Sequence, residues 1–221
     1  MSTIHFDYLF VWRNFPVLLE GLIVTIEISV VAILATLVWG LVLLFFRISK
    51  KKIFYWPAMG YIEFVRNVPV LIQMFMIYFG LPSLGIMFSA FVCGVMALTI
   101  QNGGYMAEIF RGGVESISNT QREGGLALGM KKFLLMRKII LPQALKSIIP
   151  PIVSQLIILF KDTSLVSAIA VVELTHMGKL LTERGGATYE VFITIAIFYI
   201  IISSLLSLVL NFYERRVRVL R

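Results

Sequence analysis

The chain has 221 residues, of which 59% are hydrophobic and 14% charged; an ordinary soluble domain carries roughly a quarter charged residues. Its formal net charge is +8, and Cys93 is its one cysteine. The composition excludes a soluble globular domain and points to an all-α integral membrane protein, and a lone cysteine excludes an internal disulfide framework.

The N-terminal stretch MSTIHFDYLFVWRNFP has no basic n-region and no small-residue cleavage site. It reads as a retained segment over 1–19, not a removable signal. Runs of about 20 apolar residues mark spanning helices, and five occur: 20–46, 58–82, 86–107, 144–166 and 190–212. The first is the most uniformly apolar, apart from Glu27, which lies one or two turns inside the outer end and reads as a carboxylate that snorkels to the surface. The second contains or adjoins Glu63, Arg66, Asn67, Pro69 and Gln73. The third carries Asn102 with Gly103 and Gly104, and the fourth ends in Lys161-Asp162. A short hairpin, LPSLG, joins the second and third. SAIAVVELTHMGKLLTERGGAT, between the fourth and fifth, has an amphipathic, part-helical pattern ending in Gly185-Gly186. No internal repeat is visible, so an inverted-repeat carrier is not supported. A chain this small suggests half of a dimeric pathway.

The cations set the orientation. Arg47 and Lys50–Lys52, then Arg111, Arg122, Lys131, Lys132, Arg137, Lys138 and Lys146, then Arg215, Arg216, Arg218 and Arg221 all fall on one side of a five-span chain. The other side holds Arg13, Lys179 and Arg184. Lys and Arg collect on the cytoplasmic side, which predicts N-terminus out and C-terminus in, with a cytoplasmic tail over 217–221. The basic charge is thus an orientation signal, and nucleic acid is not an expected partner. His5 and His176 are isolated, without partners at metal-ligand spacing, so no metal site is expected. No nucleophile–base constellation suggests an enzyme.

The largest cytoplasmic segment, SNTQREGGLALGMKKFLLMRKIILP (118–142), reads as two short helices. Asn119 or Thr120 is the expected cap, and Thr120 with Glu123 fits a capping box. Gly129 supplies a turn that a Cβ would resist, an apolar stripe follows from Phe133, and Pro142 is expected to end the second helix. On composition alone the segment could lie on the membrane surface, its cations meeting anionic lipid.

The spacing adds a second reading. Glu123, two small residues, Gly129 and then Ile139-x-Leu141-Pro142 resemble the EAA loop of permease subunits of binding-protein-dependent ABC importers. The departure is Gly124-Gly125 where that family usually has two alanines. YIEFVRNVPVLIQMFMIYFGLP, NGGYMAEIFRGGVESI and LFKDTSLVSAIAVVEL resemble further segments of the polar amino-acid branch, and the likeness covers roughly 16–216.

The resemblance implies a type I importer permease fold in a bacterial inner membrane. It also implies a second permease subunit, identical or similar, an extracytoplasmic binding protein, a polar amino acid as substrate and a cytoplasmic ATPase dimer. The chain has no GxxxxGK[ST] motif, so ATP and Mg are expected on the ATPase and no cofactor on this chain. Glu123, Gly124, Gly125 and Gly129 are then assigned to coupling geometry. Met130, Phe133 and Leu134 supply the contact surface, with Lys131 and Lys132 at its rim. Polar groups inside spans normally face a cavity or partner. Arg66, Asn102, Asp162, Glu63 and Gln73 are therefore the pathway candidates: Arg66 for an α-carboxylate, Asp162 for an α-ammonium, Asn102 for hydrogen bonds. Arg66 could instead pair with Glu63 at i,i+3. A permease for another small solute, or an ATPase-independent channel or carrier, stays open at this point.

Overall fold

The computed structural model describes residues 6–185 and 187–219. His5, Gly186 and Arg221, on which sequence expectations fall, lie outside them. The described residues are helical with no strand: α1 Tyr8–Arg47, α2 Lys52–Asn67, α3 Val70–Phe75, α4 Ala90–Glu115, α5 Asn119–Ala127, α6 Lys132–Leu135, α7 Leu141–Asp162, α8 Leu174–Gly185 and α9 Thr188–Val219. Three stretches are long and apolar enough to cross a membrane, Tyr8–Arg47, Lys132–Ile169 and Thr188–Phe212, and the broken pair Lys52–Asn67 with Val70–Leu84 makes a fourth. α4 has the length, 26 residues, but Gln101-Asn102-Gly103-Gly104 dilutes its middle.

Two expected boundaries move. The first helix starts at Tyr8, not near 20, because the Asp7 carboxylate accepts the Phe10 amide at 2.9 Å and caps it. It then runs through Pro16. The second span is not one helix. It stops at Asn67 and restarts at Val70, since Pro69 disfavours helical backbone at Val68, and Gln73 Nε2 donates to the freed Val68 carbonyl at 2.9 Å. The 163–185 region is part-helical as expected, with a 3₁₀ stretch Thr163–Ile169 before α8.

Two compact units divide the chain. One comprises Met1–Ala35, Val68–Thr99 and Ile158–Leu206. Ile28, Val70, Met74, Leu98, Leu159 and Val166 form its larger core, and Leu18, Leu174, Leu181, Val191 and Ile195 a smaller one. Glu173, fully buried, ties this unit together. Its carboxylate accepts the His176 amide at 2.8 Å, capping α8, and the Tyr199 hydroxyl at 3.1 Å, while Thr25 Oγ lies 3.2 Å away. Burial pushes this carboxyl above its ordinary range, against the opposing pull of the Thr175 and His176 amides.

The other unit comprises Thr36–Asn67, Ile100–Ile157 and Ser207–Arg221. Leu43, Ile62 and Ala107 pack with Trp39 and Tyr61. Ile117, Leu135, Ile140 and Ala144 form a second cluster beneath the 118–142 loop. Gly103 and Gly104 permit close helix contact here, because a Cβ on either would collide with Trp39 or Val65.

Candidate functional site

Two short helices do form in the loop, α5 and α6. The cap is Ser118, whose Oγ accepts from the Gln121 amide, in place of Asn119 or Thr120. No capping box forms: the Glu123 side chain is exposed and makes no hydrogen bond or ion pair among the described residues. α5 ends in a Schellman turn. Gly129 sits at φ +77°, its amide donates to the Leu126 carbonyl at 2.9 Å, and the Met130 amide donates to Gly125 at 3.1 Å. Pro142 does not end a helix. It lies inside a continuous helical stretch, directly after a wide π turn Met136–Ile140 that runs into α7.

The loop separates into a packed side and a bare side. Leu135 and Ile140 are buried, and Met130, expected on the contact surface, packs against that inner cluster instead. Arg122 Nη2 donates to the Val114 carbonyl at 2.6 Å, fastening α5 to the end of α4. Leu128 and Phe133 remain 84% and 75% exposed, Leu126 and Leu134 are also exposed, and Lys131 and Lys132 lie beside them. An apolar patch with a basic rim on a fastened helical pair has the form of a docking element.

The glycine pair has two different jobs. A Cβ on Gly124 meets nothing, whereas one on buried Gly125 would collide with the tip of Leu135. Gly124→Ala is therefore expected to stabilise α5 by roughly 1 kcal/mol, slowing amide exchange in that helix about fivefold. Gly125→Ala should gain less, because Leu135 must turn aside. Hydrogen-exchange mass spectrometry of the loop distinguishes the two.

The pathway candidates are divided between the units. Arg66, Glu63 and Asn102 belong to the second, Gln73 and Asp162 to the first. Glu63 is exposed and does not pair with Arg66. Arg66 instead approaches Glu108 at 4.0 Å, and its guanidinium stacks over the Tyr105 ring at 5.2 Å. Asn102 is buried, and its Oδ1 accepts from Gln155 Nε2 at 2.7 Å. Asp162 is half-buried beside Lys161.

The cluster around Glu108 escaped the sequence reading. Its carboxylate takes three hydrogen bonds from Arg111, the shortest 2.6 Å, with Arg47 Nε at 3.7 Å and Arg66 at 4.0 Å. Arg111 also reaches Glu115, and Arg47 lies over the Tyr55 ring at 4.6 Å. One carboxylate thus joins α1, α2 and α4. Only the Glu108–Arg111–Glu115 spacing, i,i+3 and i,i+4, is visible locally. Glu173 was missed for the same reason, its partners Thr25 and Tyr199 being remote in sequence.

Comparison with known proteins identifies the family of this fold. Residues 32–219 match the family described as binding-protein-dependent transport system inner membrane component. The glutamine transport system permease protein GlnP of Escherichia coli (strain K12) is 39% identical over 217 residues, covering 97% of this chain and 99% of that protein. The probable glutamine ABC transporter permease protein GlnM of Bacillus subtilis (strain 168) is 34% identical over 203 residues, covering 92% and 94%. A crystal structure of an amino acid ABC transporter with histidines matches with TM-score 0.91 and 32% identity, covering 97% of this chain and all of that one. An inward-facing structure of the MetNI methionine ABC transporter shares the fold, with TM-score 0.75 at 21% identity over 93% and 98% of the two chains.

These matches define a class, the membrane-embedded permease subunits of ABC importers. The chain belongs to the binding-protein-dependent transport system inner membrane component family.

Proposed function

We propose that this permease subunit carries a polar amino acid across a bacterial inner membrane, with its N-terminus outside and C-terminus inside. It forms half of the translocation pathway with a second copy of itself. An extracytoplasmic binding protein delivers the substrate, and a cytoplasmic ATPase dimer, which holds the ATP and Mg, drives the cycle through the 118–142 loop. The observation that carries this reading is the exposed Leu128–Phe133–Leu134 patch on a loop fastened by Arg122 and the Gly129 turn. A rigid helical pair seated in a partner's groove transmits that partner's closure to the spans. The names of the relatives support an amino acid as cargo.

Within this reading Asp162 meets the α-ammonium of the substrate. Arg66, already engaged by Glu108 and Tyr105, is assigned to holding the helices together and not to the carboxylate. Uptake into proteoliposomes tests the proposal. Labelled glutamine should accumulate only when permease, ATPase, binding protein and ATP are all present, with glutamate, histidine and arginine as competitors ranking the cargo. Accumulation without ATP would identify a carrier, and failure with every amino acid would remove the substrate assignment. Asp162→Asn should raise the substrate concentration for half-maximal uptake several-fold while basal ATP hydrolysis is unchanged.

A further inference from the structure

Only residues 48–51 separate the end of α1 at Arg47 from the start of α2 at Lys52. α1 is long and apolar enough to span, and α2 opens the broken span, so this tight turn stands at the membrane surface. It brings together Lys50, Lys51 and Lys52, all exposed and without an ion pair among the described residues. No Asp or Glu occurs between Glu27 and Glu63. The acid that serves this corner, Glu108, is already shared by Arg47, Arg66 and Arg111. Three consecutive ammonium groups therefore repel one another with no counter-charge among the described residues.

The turn is nevertheless held in one shape. Arg47 lies over the Tyr55 ring at 4.6 Å with its Nε 3.7 Å from Glu108, and Phe46 stacks on Phe54 at 5.7 Å, so two contacts close the link. Ser49 Oγ accepts the Lys51 amide at 3.3 Å, and the Lys51 carbonyl accepts the Phe54 and Tyr55 amides at 3.0 and 3.2 Å. The backbone under the lysines is fixed while their ammonium groups stay free to meet an anion. Beyond them the surface turns apolar. Ile53, Trp56 and Phe64, at i, i+3 and i+11 of α2, are more than half exposed on the face opposite buried Ala58, Ile62 and Val65. A basic cluster followed at once by exposed aliphatic and aromatic side chains matches a lipid headgroup above its acyl chains. A soluble anion would use the lysines and leave Ile53 and Trp56 without a partner.

We propose that Lys50, Lys51 and Lys52 form a site for an anionic phospholipid in the leaflet that this turn faces. The phosphate meets the ammonium groups, and Ile53 and Trp56 pack against the glycerol and the upper acyl chains. Tryptophan favours that level because its ring is apolar and its indole N–H is polar. Arg47 is not a ligand: Glu108 and Tyr55 hold it, and its part is to fix the turn on which the lysines stand. The inference concerns lipid and is independent of which solute the permease carries.

The test places the full chain, purified with its ATPase, in phosphatidylcholine nanodiscs doped with a minor fraction of brominated lipid. Bromine quenches nearby indole, and subtracting the Trp56→Phe variant isolates the Trp56 signal. Brominated phosphatidylglycerol should quench Trp56 several-fold more than brominated phosphatidylcholine at the same fraction. Each ammonium near an anionic surface contributes roughly fivefold in affinity. Single Lys→Gln changes should therefore reduce the preference, and Lys50→Gln, Lys51→Gln and Lys52→Gln together should abolish it. Lys50→Arg, Lys51→Arg and Lys52→Arg together should keep it, which separates lost charge from a disturbed fold. Equal quenching by the two lipids overturns the site, since the turn then meets bulk lipid. A preference that survives the loss of all three lysines overturns it as well. Displacement of the phosphatidylglycerol by soluble glycerol phosphate overturns the lipid assignment in favour of a free phosphate ester.

Discussion

Phe133→Asp is expected to leave the permease inserted and folded while the ATPase no longer copurifies with it. The ring is three-quarters exposed, so the chain's own fold loses little packing when it is removed. Under the proposed coupling the same ring fills a partner's groove. Truncating such an aromatic anchor costs about 2 kcal/mol or more, a loss of affinity of roughly thirtyfold. A carboxylate buried in an apolar groove adds a desolvation penalty. Detergent pull-down of the ATPase and ATP-driven uptake should both fall, while the thermal midpoint of the isolated permease stays within about a degree of wild type. Gly129→Val should give the same loss by another route, since a β-branched residue at φ +77° is strained and the Schellman turn that aims Phe133 would open. An ATPase retained at wild-type affinity by both variants would leave the loop as a membrane-surface helix, the reading that its composition alone permits.

The helices were legible because apolar runs of spanning length leave few alternatives, and the loop because glycine, proline and a capping hydroxyl act locally. Local rules misplace what tertiary contacts decide. Three neighbouring residues, Ser118, Asn119 and Thr120, could each cap α5, and the packed inner side of the loop selects Ser118. The start of α1 was obscured by Arg13, Asn14, Pro16 and Glu20, which lower the apolar average without breaking the helix. Pro142 looked like a stop because the π turn before it has no sequence signature. The Glu108 and Glu173 networks draw on partners tens of residues away, and no period or motif announces them.

Replacing Glu108 by alanine is expected to destabilise the second unit markedly. It would leave Arg47, Arg66 and Arg111 facing one another with Glu115, itself more exposed, as the nearest remaining counter-charge. Removing one partner of a buried pair costs about 3–5 kcal/mol. The Arg66 and Arg111 side chains are 33% and 28% exposed, so water screens part of this and about 2 kcal/mol is the expected loss. Glu108→Gln should cost less, because the amide oxygen still accepts from Arg111. Adding Arg66→Gln to Glu108→Gln should recover part of the loss, since it removes a cation that has lost its counter-charge, whereas Arg66→Gln alone breaks only the 4.0 Å contact. Thermal melts of the four detergent-solubilised proteins measure this coupling directly. Arg111 stands one turn before the Val114 carbonyl that Arg122 holds, so loosening the cluster slackens the seat of the loop and not its docking patch. Glu108→Ala should therefore keep the ATPase bound, unlike Phe133→Asp, yet lose the stimulation of ATP hydrolysis by the loaded binding protein. Wild-type melting and stimulation in that variant would mean that the three arginines are held apart by water alone.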